Sequence, residues 1–565
     1  MRSLAQSLVD ADAVRLKAIA QFWDIELTVG RPSAMAAQLA EGMNIPATVQ
    51  DVWDILPDEE RGALEALLSN GGQAPMRVFT REWGEIRAMG SGAMEREQPW
   101  LKPVSPAEGL WYKGFIFAAF EQDEAGFYEV VLVPPELQRL LPVQPAGPPT
   151  LSLGPVPQPV VIWQSGDALL DDACTLLAFL QTQPLRPGPD GAPLIGQANL
   201  LRQLRDPDPA RLTFLHQVIE HGGWLRVSPA GHVRPEPVPT TAWLQLPSEP
   251  QRAALAQMWR DDPAWNDLAH VPSLMLEDTG GWRNDPLLAR QALLGHLRAC
   301  SPGAWYRLDE LIAGIKHIDP DFQRPDGDYA TWYIREAASG EYLSGFESWD
   351  AIEGALIAAI VAGPLAWLGL VDLAAEAPSE APDLFRLTPA GAVFLELALP
   401  TSEQAPPALS LQSDFTVLAP AGRRYDRFQL ARVADWVKTA DPYVYRFTPA
   451  SLERARKQGI SVARVLEFLE RVTAAPVPRQ IGAATARWEA NGAEVRLEPA
   501  VLLRVSTEEL MSQVMASPLA RPLIDERISP TVARVAARNW RRLVEALGQL
   551  SLLPNVLELE ETDAD

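Results

Sequence analysis

The sequence predicts a mostly α protein with small β-sheets, an α+β fold built from several modules, and three observations carry that prediction. Apolar residues recur at helical spacing over most of the chain, whereas strand-like runs are short and flanked by turn residues. At 565 residues the chain exceeds what one hydrophobic core organises, so several domains follow from length. One element order, helices and then a pair of extended segments, returns three times. With 47% hydrophobic and 22% charged residues, the composition is that of a folded chain.

Residues 1–55 read as an N-terminal helical cap, with Leu4, Leu8, Val14, Leu16 and Ile19 on helical spacing. Over 56–141 the pattern runs from a helix at Asp58 through a Gly-Gly turn and a short extended piece to two more helices and the strand GFYEVVLV. Three helices backed by a β-hairpin is the order of a winged helix. A Pro-rich linker spans 142–163. Residues 164–262 repeat the order, with helices near 168–182, 196–204 and 209–222 and a hairpin in WLRVSPAGHVRPEPV. A linker over 263–285 leads to a third winged-helix-like module at 286–400, which contains the acidic loop AAEAPSEAPD. A linker at 401–408, a compact α/β domain at 409–556 and an acidic tail at 557–565 complete the chain.

The third module holds an aromatic centre, with Tyr329, Trp332, Tyr333, Tyr342, Phe346, Trp349 and Trp367 in one stretch. Such side chains bury large areas with few rotamers and are expected to nucleate a core. The acids among them, Asp326, Asp328, Glu336, Glu341 and Glu347, have no His or Cys beside them and lack the spacing of a calcium loop, so they read as turn and helix-start residues. Ala355 to Val371 carries no charge, but it is shorter than a membrane span and Gly363-Pro364 is expected to end its helix.

The formal net charge is −24, a field that opposes nucleic acid and acidic membrane surfaces. Residues 409–556 are the exception, with 21 Lys and Arg against 15 Asp and Glu, which leaves −30 on the rest. Cys174 and Cys300 stand alone in apolar helical patterns, as buried thiols of a reducing compartment do. The first residues, MRSLAQSLVDADAVRLK, carry charges where a signal peptide needs an apolar run, so a cytoplasmic location is expected.

Catalytic patterns are missing. There is no GxxxxGK[ST] phosphate loop, no HExxH and no GxSxG, and none of the six lysines follows a glycine. His216, His221, His232, His270, His296 and His317 keep no fixed spacing to acids. The reading is therefore a non-enzyme with no cofactor and no metal.

The basic domain supplies the binding candidates. Arg534, Arg538, Arg541 and Arg542 fall at i, i+4, i+7 and i+8, which puts them on one face of a final helix with Ser529-Pro530 as its cap and first turn. Arg423, Arg424 and Arg427, beside Tyr425, make a second patch. Arginines so placed either form a solvated face or meet phosphates, and in the second case they position a duplex without reading its bases.

Three strings carry a resemblance: LSLQSDFTVLAP, YRFTPASLERARKQGISVARVLEFLERVTAAPVPRQI and RISPTVARVAARNWRRLVEALGQLSLLPN. They resemble the N-terminal domain of XPB-type helicases, and with PDGDYATWYIREAASGEYLSGFESWDAIEGAL they are similar to bacterial helicase-associated domain proteins that lack the motor. The resemblance implies a non-catalytic DNA-binding protein that acts with a helicase or other DNA-processing protein in repair or transcription, with no membrane partner. The alternative is a protein-protein interaction scaffold of winged helices without DNA contact.

Overall fold

The computed structural model describes residues 2–557 except 29, 124–125, 144–149, 184, 188–196, 281, 379–380, 401–403, 493 and 496–499. The acidic tail after residue 557 lies outside the described residues, as do parts of the segments expected to be linkers at 142–163 and 401–408. The protein is α+β, with helices predominating and the strands gathered in small antiparallel sheets. It forms two compact units, Met1–Arg454 with Leu469–Ala475, and Ala455–Phe468 with Pro476–Asp565.

The first unit holds two large apolar cores. One is built by residues 4 to 141, where Leu8, Leu16, Ile19, Leu39, Leu64, Leu110 and Phe115 are buried together. Its helices start where the sequence supplies caps. Asp12 accepts the N–H groups of Val14 and Arg15 to open Ala13–Phe22, and Ser105 accepts Glu108 N–H to open Pro106–Lys113, with Pro106 in the first turn. Glu108 tolerates full burial because Arg87 forks onto its carboxylate and the N–H groups of Val104 and Arg87 also donate to it. The strands Gln73–Pro75, Phe117–Asp123 and Gly126–Leu132 form one sheet with Gly126–Leu132 in the middle.

The second core runs from Leu151 to Leu395 and takes in Phe428. Its main sheet orders Val161–Trp163, Val371–Ala375, Leu384–Leu387 and Trp305–Arg307. Val161–Trp163, which the sequence reading puts in a linker, is therefore an edge strand. In both cores the strand ahead of the middle helices pairs with the last strand of the hairpin: Gln73–Pro75 with Gly126–Leu132, and Trp305–Arg307 with Leu384–Leu387. Between them, Ala168–Thr182, Gln197–Leu201 and Pro209–His221 precede a two-stranded hairpin, Leu225–Val227 with Val233–Pro235.

The aromatic centre divides by depth. Trp349 is wholly buried, with its N–H on the Pro320 carbonyl at 2.8 Å, and Tyr329 is buried beside it. Trp332, Phe346 and Trp367 are half-buried against the core. Tyr333 and Tyr342 depart from the expectation. They lie on the outer face of a three-stranded sheet, each about half exposed, while Ile334 between them points inward. Gly363-Pro364 does not end its helix either, because a π-helical turn, Val361–Leu365, takes up the proline whose missing N–H breaks an ordinary turn. Phe346–Leu365 is the one stretch among the described residues long and apolar enough to cross a membrane, and 61% of its apolar window is buried inside the protein.

Residues 409–454 add a sheet, ordered Ser410–Leu411, Thr416–Ala419, Tyr443–Arg446 and Asp435–Lys438, and the helix Arg424–Leu430, which packs on Ala168–Thr182. In the second unit a sheet ordered Ala500–Arg504, Val532–Ala536, Ile524–Ser529 covers a small core of Met511, Val514, Leu543, Ala546 and Leu547.

Candidate nucleic-acid interface

The final helix is shorter than the sequence reading makes it. Ile524–Ser529 and Val532–Ala536 are paired strands turning at Pro530, and the helix is Trp540–Gln549. The period of two wins because Ala533 and Val535 bury on one face beside Ile524, an arrangement that a helix through the same residues cannot make. Ser529-Pro530 is thus a hairpin turn, and the four arginines do not share a helical face.

Arg534 lies mid-strand on the outer face of the sheet, half-buried, opposite Leu502 and with its guanidinium 3.8 Å from the Glu526 carboxylate. Arg504 is exposed two residues along from Leu502, diagonal to Arg534 on that face. Arg538 sits in the short turn Ala537–Asn539, exposed. Arg541 and Arg542 occupy the first turn of Trp540–Gln549, also exposed, with the Arg541 guanidinium 5.4 Å from the Trp540 ring. Two cations at the positive end of a helix repel its exposed N–H groups, and an incoming anion relieves both. Arg527 is engaged, pairing with Glu508 at 3.0 Å and donating to the carbonyls of Ser529 and Pro530.

The second patch is corrected more deeply. Arg424 and Arg427 are 2% and 1% exposed and belong to the first unit's interior. Arg424 donates to Asp171 at 2.9 Å, Asp167 at 2.8 Å, Ser248 at 2.9 Å and Gln251 at 2.9 Å. Arg427 donates to Asp171, to the Thr175 hydroxyl and to the Ala421 carbonyl, and its guanidinium lies 3.3 Å from the centre of the Tyr443 ring. Burial by itself lowers the basicity of Arg427, but Cys174, Tyr445, Tyr443 and Asp171 around it raise it overall. Asp172 next to them pairs with buried Arg211, and burial keeps its carboxyl above the ordinary range despite that partner. Only Arg423 of this group is partly exposed, and it pairs with Asp426 at 2.9 Å.

The signal for this cluster was in the sequence. Asp171 and Asp172 interrupt the apolar helix LLDDACTLLAFL, and acids buried in such a helix require buried cations from elsewhere. Arg424 and Arg427, one turn apart, are the cations of Asp171, and Arg211 is that of Asp172.

Three of the histidines stack or pair within the fold. His270 stacks on Trp265 at 3.7 Å, His221 lies 3.2 Å from Asp262, and His296 lies 2.8 Å from Asp319. Among the described residues no three His, Cys, Asp or Glu converge as metal ligands do.

The fold and these arginines define an α+β protein whose smaller unit presents an arginine-bearing sheet face and a cationic helix start. In line with that, residues 409–529 match the family described as helicase conserved C-terminal domain, a similarity to helicase-associated sequence that covers less than a quarter of the chain. No curated protein matches the chain. The match spans Arg423, Arg424 and Arg427 and stops short of Arg534, Arg538, Arg541 and Arg542.

Proposed function

We propose that this chain is a non-catalytic, helicase-associated DNA-binding protein of the cytoplasm that acts with a helicase in repair or transcription. The observation that carries the proposal is the helicase-family match at 409–529 running into a sheet and helix start with exposed arginines. In this reading Arg504, Arg538 and Arg542, with Arg534 and Arg541, meet backbone phosphates. The helix start at Trp540 adds N–H donors to the same contact. The shared order of helix, strand, helices and hairpin in the two large cores supports tandem degenerate winged helices, and the resemblance of the last domain to the N-terminal domain of XPB-type helicases supports a motor supplied by a partner.

The test is a salt titration of duplex DNA binding with the full chain. Arg538→Ala with Arg542→Ala removes two exposed cations and is expected to weaken all sequences alike and lower the salt slope by about 2. An unchanged slope, or no binding at low salt, overturns the proposal. The second reading, a scaffold without DNA contact, is favoured by the burial of Arg424 and Arg427, which withdraws two basic candidates from any surface.

A further inference from the structure

The hairpin Phe117–Asp123 with Gly126–Leu132 displays Phe120 and Phe127, 73% and 76% exposed. Its register opposes Phe120 to Glu129 and Phe127 to Gln122, so both rings stand diagonally on one face of the hairpin, alongside Glu129. Large exposed side chains side by side on a strand pair mark a contact surface rather than chance exposure. Glu129 also lines a cleft of about 500 Å³ whose apolar wall is Met76, Met89, Met94 and Trp111.

Among the residues that line the cleft, the charges left over have one sign. Arg87 at the cleft is taken by Glu108, and Arg15 lies on the Trp111 ring at 3.5 Å and donates to the carbonyls of Trp111 and Ile116. Asp10 pairs with Arg2 and Asp12 caps a helix, whereas exposed Glu85 and Glu129 make no ion pair among the described residues. From Gly114 to Gln138 the sequence has no Lys or Arg.

We propose that this cleft and hairpin face dock a segment of a partner protein that presents Lys or Arg beside a large apolar side chain. The methionines give the cleft an adaptable apolar wall, Phe120 and Phe127 offer flat apolar area beside it, and Glu85 and Glu129 receive the cation. A phosphate backbone would meet those carboxylates instead, so this face does not take nucleic acid. The proposal stands independently of DNA binding by the smaller unit.

Fluorescence anisotropy of the full chain with a short labelled peptide of lysine and leucine at helical spacing tests it. Phe120→Ser with Phe127→Ser, and separately Glu85→Gln with Glu129→Gln, are expected to weaken the peptide about tenfold or more, with melting unchanged because all four side chains are exposed. Glu341→Gln with Glu347→Gln, exposed acids elsewhere, is expected to leave it unaltered. Equal loss in both acid pairs would mean a general attraction to the acidic chain and would overturn the proposal. So would no binding to the unmodified protein, or a single-stranded oligonucleotide that binds and is released by the phenylalanine changes.

Discussion

Asp171→Asn is the sharpest probe of the interior. The side chain is wholly buried and accepts from Arg205 at 2.7 Å, Arg424 at 2.9 Å and Arg427 at 3.2 Å. Asparagine keeps the shape and removes the charge. Arg424 would still have Asp167, but Arg427 would keep only neutral acceptors, the amide oxygen, the Thr175 hydroxyl and the Ala421 carbonyl. One buried cation without a carboxylate sets the magnitude, about 3–5 kcal/mol. Arg427→Met leaves Asp171 two cations and is expected to cost less, and the double variant less than the sum by about 1–3 kcal/mol, since the two residues act as one unit. Urea unfolding of the full chain followed by tryptophan fluorescence is the assay. Of the 18 tryptophans only Trp488 and Trp540 lie in the smaller unit, so the signal reports the larger one. An Arg427→Met variant that unfolds at the unmodified urea midpoint while losing DNA affinity would refute the burial argument and return this arginine to the surface.

Trp349→Ala is expected to cost about 3–5 kcal/mol, because the ring is fully buried and its removal leaves a cavity, while the Pro320 carbonyl keeps the Tyr329 hydroxyl as donor, and thermal melting reads the loss. Glu108 sets a pH dependence: burial raises its carboxyl, but hydrogen bonds from Arg87 and from the Val104 and Arg87 N–H groups outweigh that and hold it below the ordinary value. Its contribution is therefore present above the unfolded carboxyl value and lost as pH falls through the lower folded one. Glu108→Gln is expected to be less stable at neutral pH and to lose less than the unmodified protein between about pH 5 and pH 2, measured by urea midpoints across that range.

Much of the fold was legible because its signals are local. Asp12 and Ser105 announce their helices, and the repeated helix and hairpin order shows in periodicity alone. The failures share one physical cause, that the deciding partner is far along the chain. Ser529-Pro530 suits a helix start or a turn equally well, and only pairing of Val532–Ala536 with Ala500–Arg504 selects the turn. Pro364 ends helices in general, but here a widened turn in a buried segment accommodates it. The candidate arginines were read as charge on a surface, and for Arg424 and Arg427 the acids that bury them lie about 250 residues earlier.

The boundary between the compact units falls inside the family match rather than at its edge. A fragment trimmed to begin at residue 409 keeps the helix Arg424–Leu430 and discards Ala168–Thr182, the helix that packs on it. Two guanidinium groups shaped for an internal carboxylate would then stand open to solvent, that of Arg427 beside Tyr443. Such a fragment would attract any polyanion, and its affinity for DNA would have been made by the scissors.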